Sequence, residues 1–371
     1  MTNIVPAQAF SPGEFLRDEL EARDWTQAEF AKMIGRPPRL VSELIAGKRG
    51  ITPETAHELA AAFGTSAQLW MNLDAAYQLS LVAPQTERIS REAALRQRFP
   101  VREMQKRGWI PNADTFEEIE QCVLGYFGIC AANDVIALPH AARRNHDEEL
   151  STIQWAWIFR VNQLATALQV SAYSEISLRA SVSDLEKLMT EPEEIRHIPK
   201  ILAECGVRLV IVEPIPGSKI DGVCFWLKSD TAPVIGLSLK GDLIDRFWFT
   251  LWHEIEHILR GDGKGGIIVD EFDDNSCGID AAEKAADEGA TNRCVPTKAM
   301  KDFIARHSPM FSEKNMIGFA KIMKRHPGIV AGQIQRHTGR WDLFKKHQPR
   351  VRQIITETAL TDGYGRTGPK L

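Results

Sequence analysis

TQAEFAKMIGRPPRLVSELIAGKRG, residues 26–50, decides how the first part of the chain folds. Thr26 stands before Gln27-Ala28-Glu29, an N-cap with a glutamate three residues on, so a helix starts there and runs to Ile34. Gly35 ends it with a tight turn. Pro38 suits the first turn of the next helix, where its missing N–H needs no partner. That helix turns Leu40, Val41 and Leu44 inward, leaves Arg39, Ser42 and Glu43 outward, and ends at Gly47. On either side, Pro12–Ala22 offers Phe15, Leu16 and Leu20 on one face, and Thr52-Pro53-Glu54 opens a fourth helix that closes at Gly64. Two short helices joined by a tight turn form a helix-turn-helix, whose second helix can enter a major groove. A purely structural bundle with an incidental turn is the alternative.

The outward residues have the chemistry for DNA. Arg39, near the start of the second helix, can reach a base edge, typically guanine. Gln27 can hydrogen-bond a phosphate from the preceding helix start. Lys48 and Arg49 can neutralise phosphates. With Ser42 and Glu43, these make up the expected contact surface. The run from Thr26 through GKRGIT to Phe63-Gly64, Trp70-Met-Asn-Leu and Tyr77-Gln-Leu resembles the Cro/repressor-type helix-turn-helix, and within it the HigA antitoxin branch. The resemblance covers about the first 81 residues. It implies a homodimer on a palindromic operator, autorepression and, in some systems, a bound toxin. Pro37-Pro38 departs from the polar residues that often open the family's recognition helix, which shifts base reading towards Arg39 and Ser42.

FWFTLWHEIEHIL, residues 247–259, is the second decisive stretch. It is HExxH inside an apolar run whose helix is expected to end near Gly261. Residues four apart stack on one helix face, about 6 Å apart along the axis. His253 and His257 can therefore share one Zn²⁺, and Glu254 can serve as general base towards an activated water. HExxH fixes three positions and also arises by chance, but histidines facing a core need a partner or a metal. Catalytic zinc needs a third protein ligand. Asp270, Glu271, Asp273, Asp274, Cys277, Asp280, Glu283, Asp287 and Glu288 all qualify. Glu283 is favoured because it opens a helical stretch in which Ala286 and Ala290 would allow close approach to the HExxH helix. Cys277 is the candidate for a fourth, silencing ligand.

Residues 196–300 resemble the ImmA/IrrE metallo-endopeptidases, through FTLWHEIEH and, after a loop, Glu283-Lys-Ala-Ala-Asp with Val295-Pro296. The resemblance implies a zincin-like domain in which Glu283 is the third zinc ligand. Expected strands at 206–212, 221–226 and 233–239 agree with it. FPVREMQKRGWI (99–110) and HPGIVAGQIQ (326–335) are similar to stretches in longer proteins that fuse a HigA-like head to this peptidase. At two positions the chain departs from the pattern: Glu256 replaces a small residue, where it could crowd or recharge the metal site, and Gly289 replaces an aromatic.

The remaining features set limits. The chain has 371 residues, 44% hydrophobic and 25% charged, which excludes a disordered tail or a fibrous rod. It has no apolar run long enough to span a membrane. Six scattered cysteines without a CxxC pair read as reduced thiols, so a cytoplasmic location is expected. The net charge of −4 hides a basic end, with fifteen Lys/Arg against five Asp/Glu from Thr297 to Leu371. That surplus can face nucleic acid or an acidic partner, or offset the acidic remainder of the chain. Trp155, Trp157 and Phe159 read as core; His326 and His337 read as surface or core histidines. The expectation is an α+β, mostly helical chain: a helix-turn-helix head (1–83), a helical middle region (84–195), a metallopeptidase domain (196–345) and a basic tail (346–371). Its expected function is a DNA-binding regulator carrying a zinc endopeptidase that cleaves a protein partner, such as a co-encoded toxin or repressor, or itself. One alternative is an antitoxin-like repressor whose metal fold senses a signal or binds a toxin without proteolysis. The other is a zinc hydrolase acting on a non-peptide substrate.

Overall fold

The computed structural model describes residues 10–81, 86–138, 150–228, 230–264, 266–270, 281–364 and 366–367. The chain forms two compact units that divide between Ala94 and Leu95. None of the described helices is long and apolar enough to cross a membrane.

The first unit is helical: α1 (Pro12–Glu21), α2 (Gln27–Met33), α3 (Pro38–Ile45), α4 (Pro53–Phe63) and α5 (Ala67–Leu81), with α6 (Thr86–Arg98) spanning the division. Local chemistry sets the helix starts. Ser11 with Glu14 and Thr26 with Glu29 are reciprocal capping boxes, and proline opens α1, α3 and α4. Leu16, Leu20, Phe30, Val41, Leu44, Leu59, Phe63 and Trp70 fill one core. Within it the Phe30 and Phe63 rings stack 4.9 Å apart. Gly13 is required by packing, because a Cβ there would lie 2.5 Å from the carbonyl oxygens of Leu44 and Ile45. α1 can therefore cross the end of α3 at backbone contact.

The second unit is built on a six-stranded mixed sheet, in the order β4-β2-β3-β1-β5-β6. β1 (Arg208–Val212) runs parallel to β3 (Ala232–Leu237) and β5 (Leu360–Gly363). β2 (Gly222–Leu227) pairs antiparallel with β3 and with β4 (Ile268–Asp270), and β6 (Arg366–Thr367) pairs antiparallel with β5. Strands β1 to β3 are buried along their whole length, which explains their nearly continuous apolar sequences.

Alternate side chains serve two cores. Val210, Val212, Val223, Phe225 and Val234 share one with α8 (Phe116–Phe127) and α9 (Thr152–Ala167). Leu209, Ile211, Cys224, Trp226, Ile235 and Leu237 share the other with α10 (Glu175–Lys187), α11 (Ile198–Glu204) and α12 (Ile244–Arg260). Trp155, Trp157 and Phe159 are buried on α9, a helix apolar nearly all round because it lies inside the unit. The described residues between 95 and 195, which also contain α7 (Val101–Lys106), thus share the two cores with the strands that follow. Residues 346–364 likewise belong to this unit: Val351, Ile355 and Ala359 are buried and β5 extends the sheet.

α13 (Ala281–Cys294), α14 (Thr297–His307), α15 (Glu313–Met323), α16 (Pro327–Thr338) and the short α17 (Arg352–Ile355) complete the unit. His326 caps α16, accepting from the Gly328 N–H on Nδ1. The glycines of HPGIVAGQIQ let α16 approach the start of α12: a Cβ on Gly332 would fall 2.3 Å from Asp245 Oδ2. Gly332→Ala is expected to destabilise the second unit by about 1–3 kcal/mol through overpacking, read as a lowered thermal midpoint. An unchanged midpoint would show that α12 and α16 separate freely.

Candidate metal centre and nucleic-acid interface

α12 combines an apolar face on the sheet with the HExxH residues at its C-terminal end, and Gly261 ends it in the left-handed conformation (φ 79°). His253, Glu254 and His257 are all buried, at 1%, 0% and 0% exposure. α13 packs against α12 and brings Glu283 to the two rings. Its Oε2 lies 3.2 Å from His253 Nε2, and its Oε1 lies 3.6 Å from His257 Nε2. The two Nε2 atoms are 2.9 Å apart. Ligands about 2.1 Å from a tetrahedral zinc would be about 3.4 Å apart, so the three atoms have the spacing of a ligand set. His253, His257 and Glu283 form the one such cluster among the described residues.

The other ring nitrogens face carboxylates. His257 Nδ1 is 3.1 Å from Asp262 Oδ2, which Arg260 Nε also approaches at 3.2 Å. His253 Nδ1 is 2.9 Å from Asp287 Oδ1. The Asp262 carboxylate favours a ring proton on His257 Nδ1 and an electron pair on its Nε2 towards the cluster, whereas Asp287 stands at ion-pair distance from His253 Nδ1 without a hydrogen bond to it. Burial works to raise the Glu283 carboxyl, but when the two rings also carry a proton on Nε2 their hydrogen bonds and charges outweigh it and hold the group well below the usual carboxylate range. Three converging electron-pair donors with carboxylates behind both rings fit a divalent cation such as Zn²⁺.

Glu254 occupies space left by β2. A Cβ on Gly222 would lie 1.9 Å from Glu254 Oε1 and 3.1 Å from Thr250 Cγ2, so only glycine fits opposite this carboxylate. Sequence reasoning missed Gly222, because its role depends on a strand-to-helix contact 32 positions away. Asp287, a candidate ligand by sequence, stands instead behind the His253 ring at Nδ1. Its spacing of four from Glu283 on one helix was the available signal. Asp262 reaches His257 from beyond the end of α12, where the HExxH spacing gives no signal for it.

The two departures from the peptidase pattern touch each other. A Cβ on Gly289 would lie 2.7 Å from Glu256 Cγ, so the larger residue on α12 fits because α13 has none there. Glu256 pairs with Arg293 at 3.2 Å, and Arg293 and Arg325 both reach Glu186, at 3.3 and 3.1 Å. The charge of Glu256 is thereby met by Arg293. Among the other candidate ligands, Glu288 is exposed and Asp270 lies on β4. Glu271, Asp273, Asp274, Cys277 and Asp280 fall outside the described residues.

In the first unit, α2 and α3 are joined by a turn with Gly35 in the left-handed region (φ 68°). Gln27, Arg39, Ser42, Lys48 and Arg49 are exposed, and Glu43 is half-buried. Arg39 Nε donates to Glu43 Oε1 at 2.7 Å, and Arg49 Nη1 lies 3.6 Å from Glu43 Oε2. The hydrogen bond from Arg39 is the main cause of a lowered Glu43 carboxyl pKa. Ser42 spends its hydroxyl proton on the Arg39 carbonyl, at 3.0 Å. Arg36 is committed elsewhere, with Nε and Nη2 both on Glu58 at 2.7–3.0 Å.

Known proteins match this unit. The helix-turn-helix family profile covers residues 16–70. The chain is 35% identical over 69 residues to the uncharacterized HTH-type transcriptional regulator YddM of Escherichia coli (strain K12), covering 19% of this chain and 73% of that one. It is 35% identical over 89 residues to virulence-associated protein I of Dichelobacter nodosus, covering 24% and 81%. Among solved structures, the Pseudomonas aeruginosa antitoxin HigA with the higBA promoter is 37% identical over 20% of this chain and 82% of that one, with a TM-score of 0.20.

The cluster geometry predicts a thermal response to zinc. At a hundredfold excess over its dissociation constant, Zn²⁺ should stabilise the second unit by about 2.7 kcal/mol. His257→Ala and Glu283→Ala should abolish the shift, and Asp287→Asn should weaken affinity about 10- to 100-fold. An equal zinc shift in His257→Ala would place the binding site elsewhere.

Proposed function

We propose that this chain, which belongs to the helix-turn-helix family through its first unit, is a DNA-binding transcriptional regulator whose second unit is a zinc-dependent endopeptidase. The observation that carries the first half is the family match over residues 16–70, from within α1 to the first turn of α5, together with an exposed surface containing Arg39, Lys48 and Arg49. The observation that carries the second is the meeting of His253, His257 and Glu283 beside a buried Glu254. In this reading the protein binds a palindromic operator as a homodimer and cleaves a co-encoded toxin or repressor, or itself. Identity to an antitoxin supports a toxin as one candidate partner.

His253, His257 and Glu283 would hold the metal, and Asp262 and Asp287 would fix the two imidazole rings. When bound, Zn²⁺ would polarise a peptide carbonyl and make water acidic enough to attack near neutral pH. Glu254 accepts the proton of the attacking water and returns it to the departing amine. Gly222 supports this role by leaving room for the carboxylate.

Glu254→Gln should keep zinc and operator affinity yet slow partner cleavage by several orders of magnitude. Gly222→Ala should also impair cleavage, because its Cβ displaces Glu254. The assay is a cleavage time course beside metal analysis and a DNA titration. Cleavage by Glu254→Gln at the parent rate would assign the proteolysis to another source. A parent that binds zinc and operator but cleaves no co-encoded partner would favour a non-proteolytic sensor or toxin-binding repressor. On the DNA side, Lys48→Ala should weaken binding evenly across sequences and lower the salt slope by about 1. A sequence-selective loss would instead make Lys48 a base reader.

A further inference from the structure

We infer that Arg39 reads a guanine in each operator half-site through its two terminal nitrogens, and that Glu43 is the positioning residue that presents them. The inference rests on the DNA-binding reading of the first unit, in which Arg39 faces guanine, and adds which edge of the guanidinium reads the base and the device that aims it.

The geometry separates the arginines around this helix. A guanidinium has two edges with which to form a bidentate fork: Nε with one Nη, or the two Nη groups together. Arg36 uses its Nε edge fully on Glu58 and is half-buried. Arg39 gives only Nε to Glu43, at 2.7 Å, and its side chain is 86% exposed. Its Nη pair remains as a planar fork of parallel donors. Guanine presents two adjacent acceptors, O6 and N7, on the major-groove edge, and this fork matches them. Adenine presents one acceptor and one donor there, so the second N–H of the fork meets a donor. Cytosine and thymine offer no such acceptor pair.

Glu43 lies one turn after Arg39 on α3, so the Nε contact draws the guanidinium along the helix surface. A carboxylate facing DNA would ordinarily repel phosphates. Here its second oxygen is shared with Arg49, so the anion lies between two cations. Its charge serves to orient Arg39. Ser42, whose hydroxyl proton is engaged by the Arg39 carbonyl, is free to act only as an acceptor from a base.

The test selects a randomised duplex library on the full-length protein, followed by sequencing, for the parent, Arg39→Ala, Glu43→Ala and Glu43→Gln. The parent should enrich paired half-sites with one dominant guanine position. Arg39→Ala should flatten that position, a loss of about five- to hundredfold in discrimination. Glu43→Ala should flatten it several-fold while leaving or raising affinity for unselected DNA. Glu43→Gln, which keeps an acceptor for Nε, should restore part of the preference. A guanine position that persists in Glu43→Ala, with affinity raised evenly for all sequences, would reduce Glu43 to a phosphate repellent and overturn the inference. A position unchanged in Arg39→Ala would remove Arg39 as the reader. A parent that enriches no sequence would overturn the DNA-binding reading itself. The three failures are distinguishable.

Discussion

Three electron-pair donors meeting inside a protein repel one another unless a cation or a proton lies among them. His253 Nε2, His257 Nε2 and the Glu283 carboxylate meet in this way, within 3.6 Å of one another. Much of the second unit is arranged to hold them there. The sheet fixes one side of α12, and α16 reaches its start over Gly332. α13 closes on its outer face, where Gly289 admits Glu256. Asp262 and Asp287 stand behind the rings, at 3.1 Å from His257 Nδ1 and 2.9 Å from His253 Nδ1.

The first unit depends on a simpler constraint. Its core is small and aromatic, and α1 reaches α3 only because Gly13 has no side chain. That packing leaves the outer face of α3 free of core duties. A charge network of three side chains, Arg39, Glu43 and Arg49, forms on it. Each unit has its own hydrophobic core, so changes in the metal cluster and changes on α3 can be read separately.

Local sequence carried much of this. Caps, prolines and glycines placed α1 to α4 almost to the residue, because each such device acts within one turn. The spacing of four put His253 and His257 on one face, and a helix beginning near Glu283 made it the favoured third donor. Tertiary contacts were less legible. Gly222 and Glu254 are neighbours only because β2 lies beneath α12. The fit of Glu256 to Gly289 became visible only once α13 lay against α12. The last residues read as a basic tail, yet Val351, Ile355 and β5 are buried parts of the second unit, since a short apolar alternation carries little periodic signal amid many charges. Part of the basic surplus is met within the unit itself: Arg325 pairs with Glu186 and Arg352 with Asp242.

The most direct measurement is the zinc-edge X-ray absorption spectrum of the full-length protein loaded with one equivalent of Zn²⁺. The account predicts two imidazole nitrogens and carboxylate oxygen at about 2.0–2.2 Å, with zinc no longer retained by His257→Ala after desalting. A sulfur shell at about 2.3 Å would bring a cysteine such as Cys277 into the site and contradict a centre made of His253, His257 and Glu283 alone.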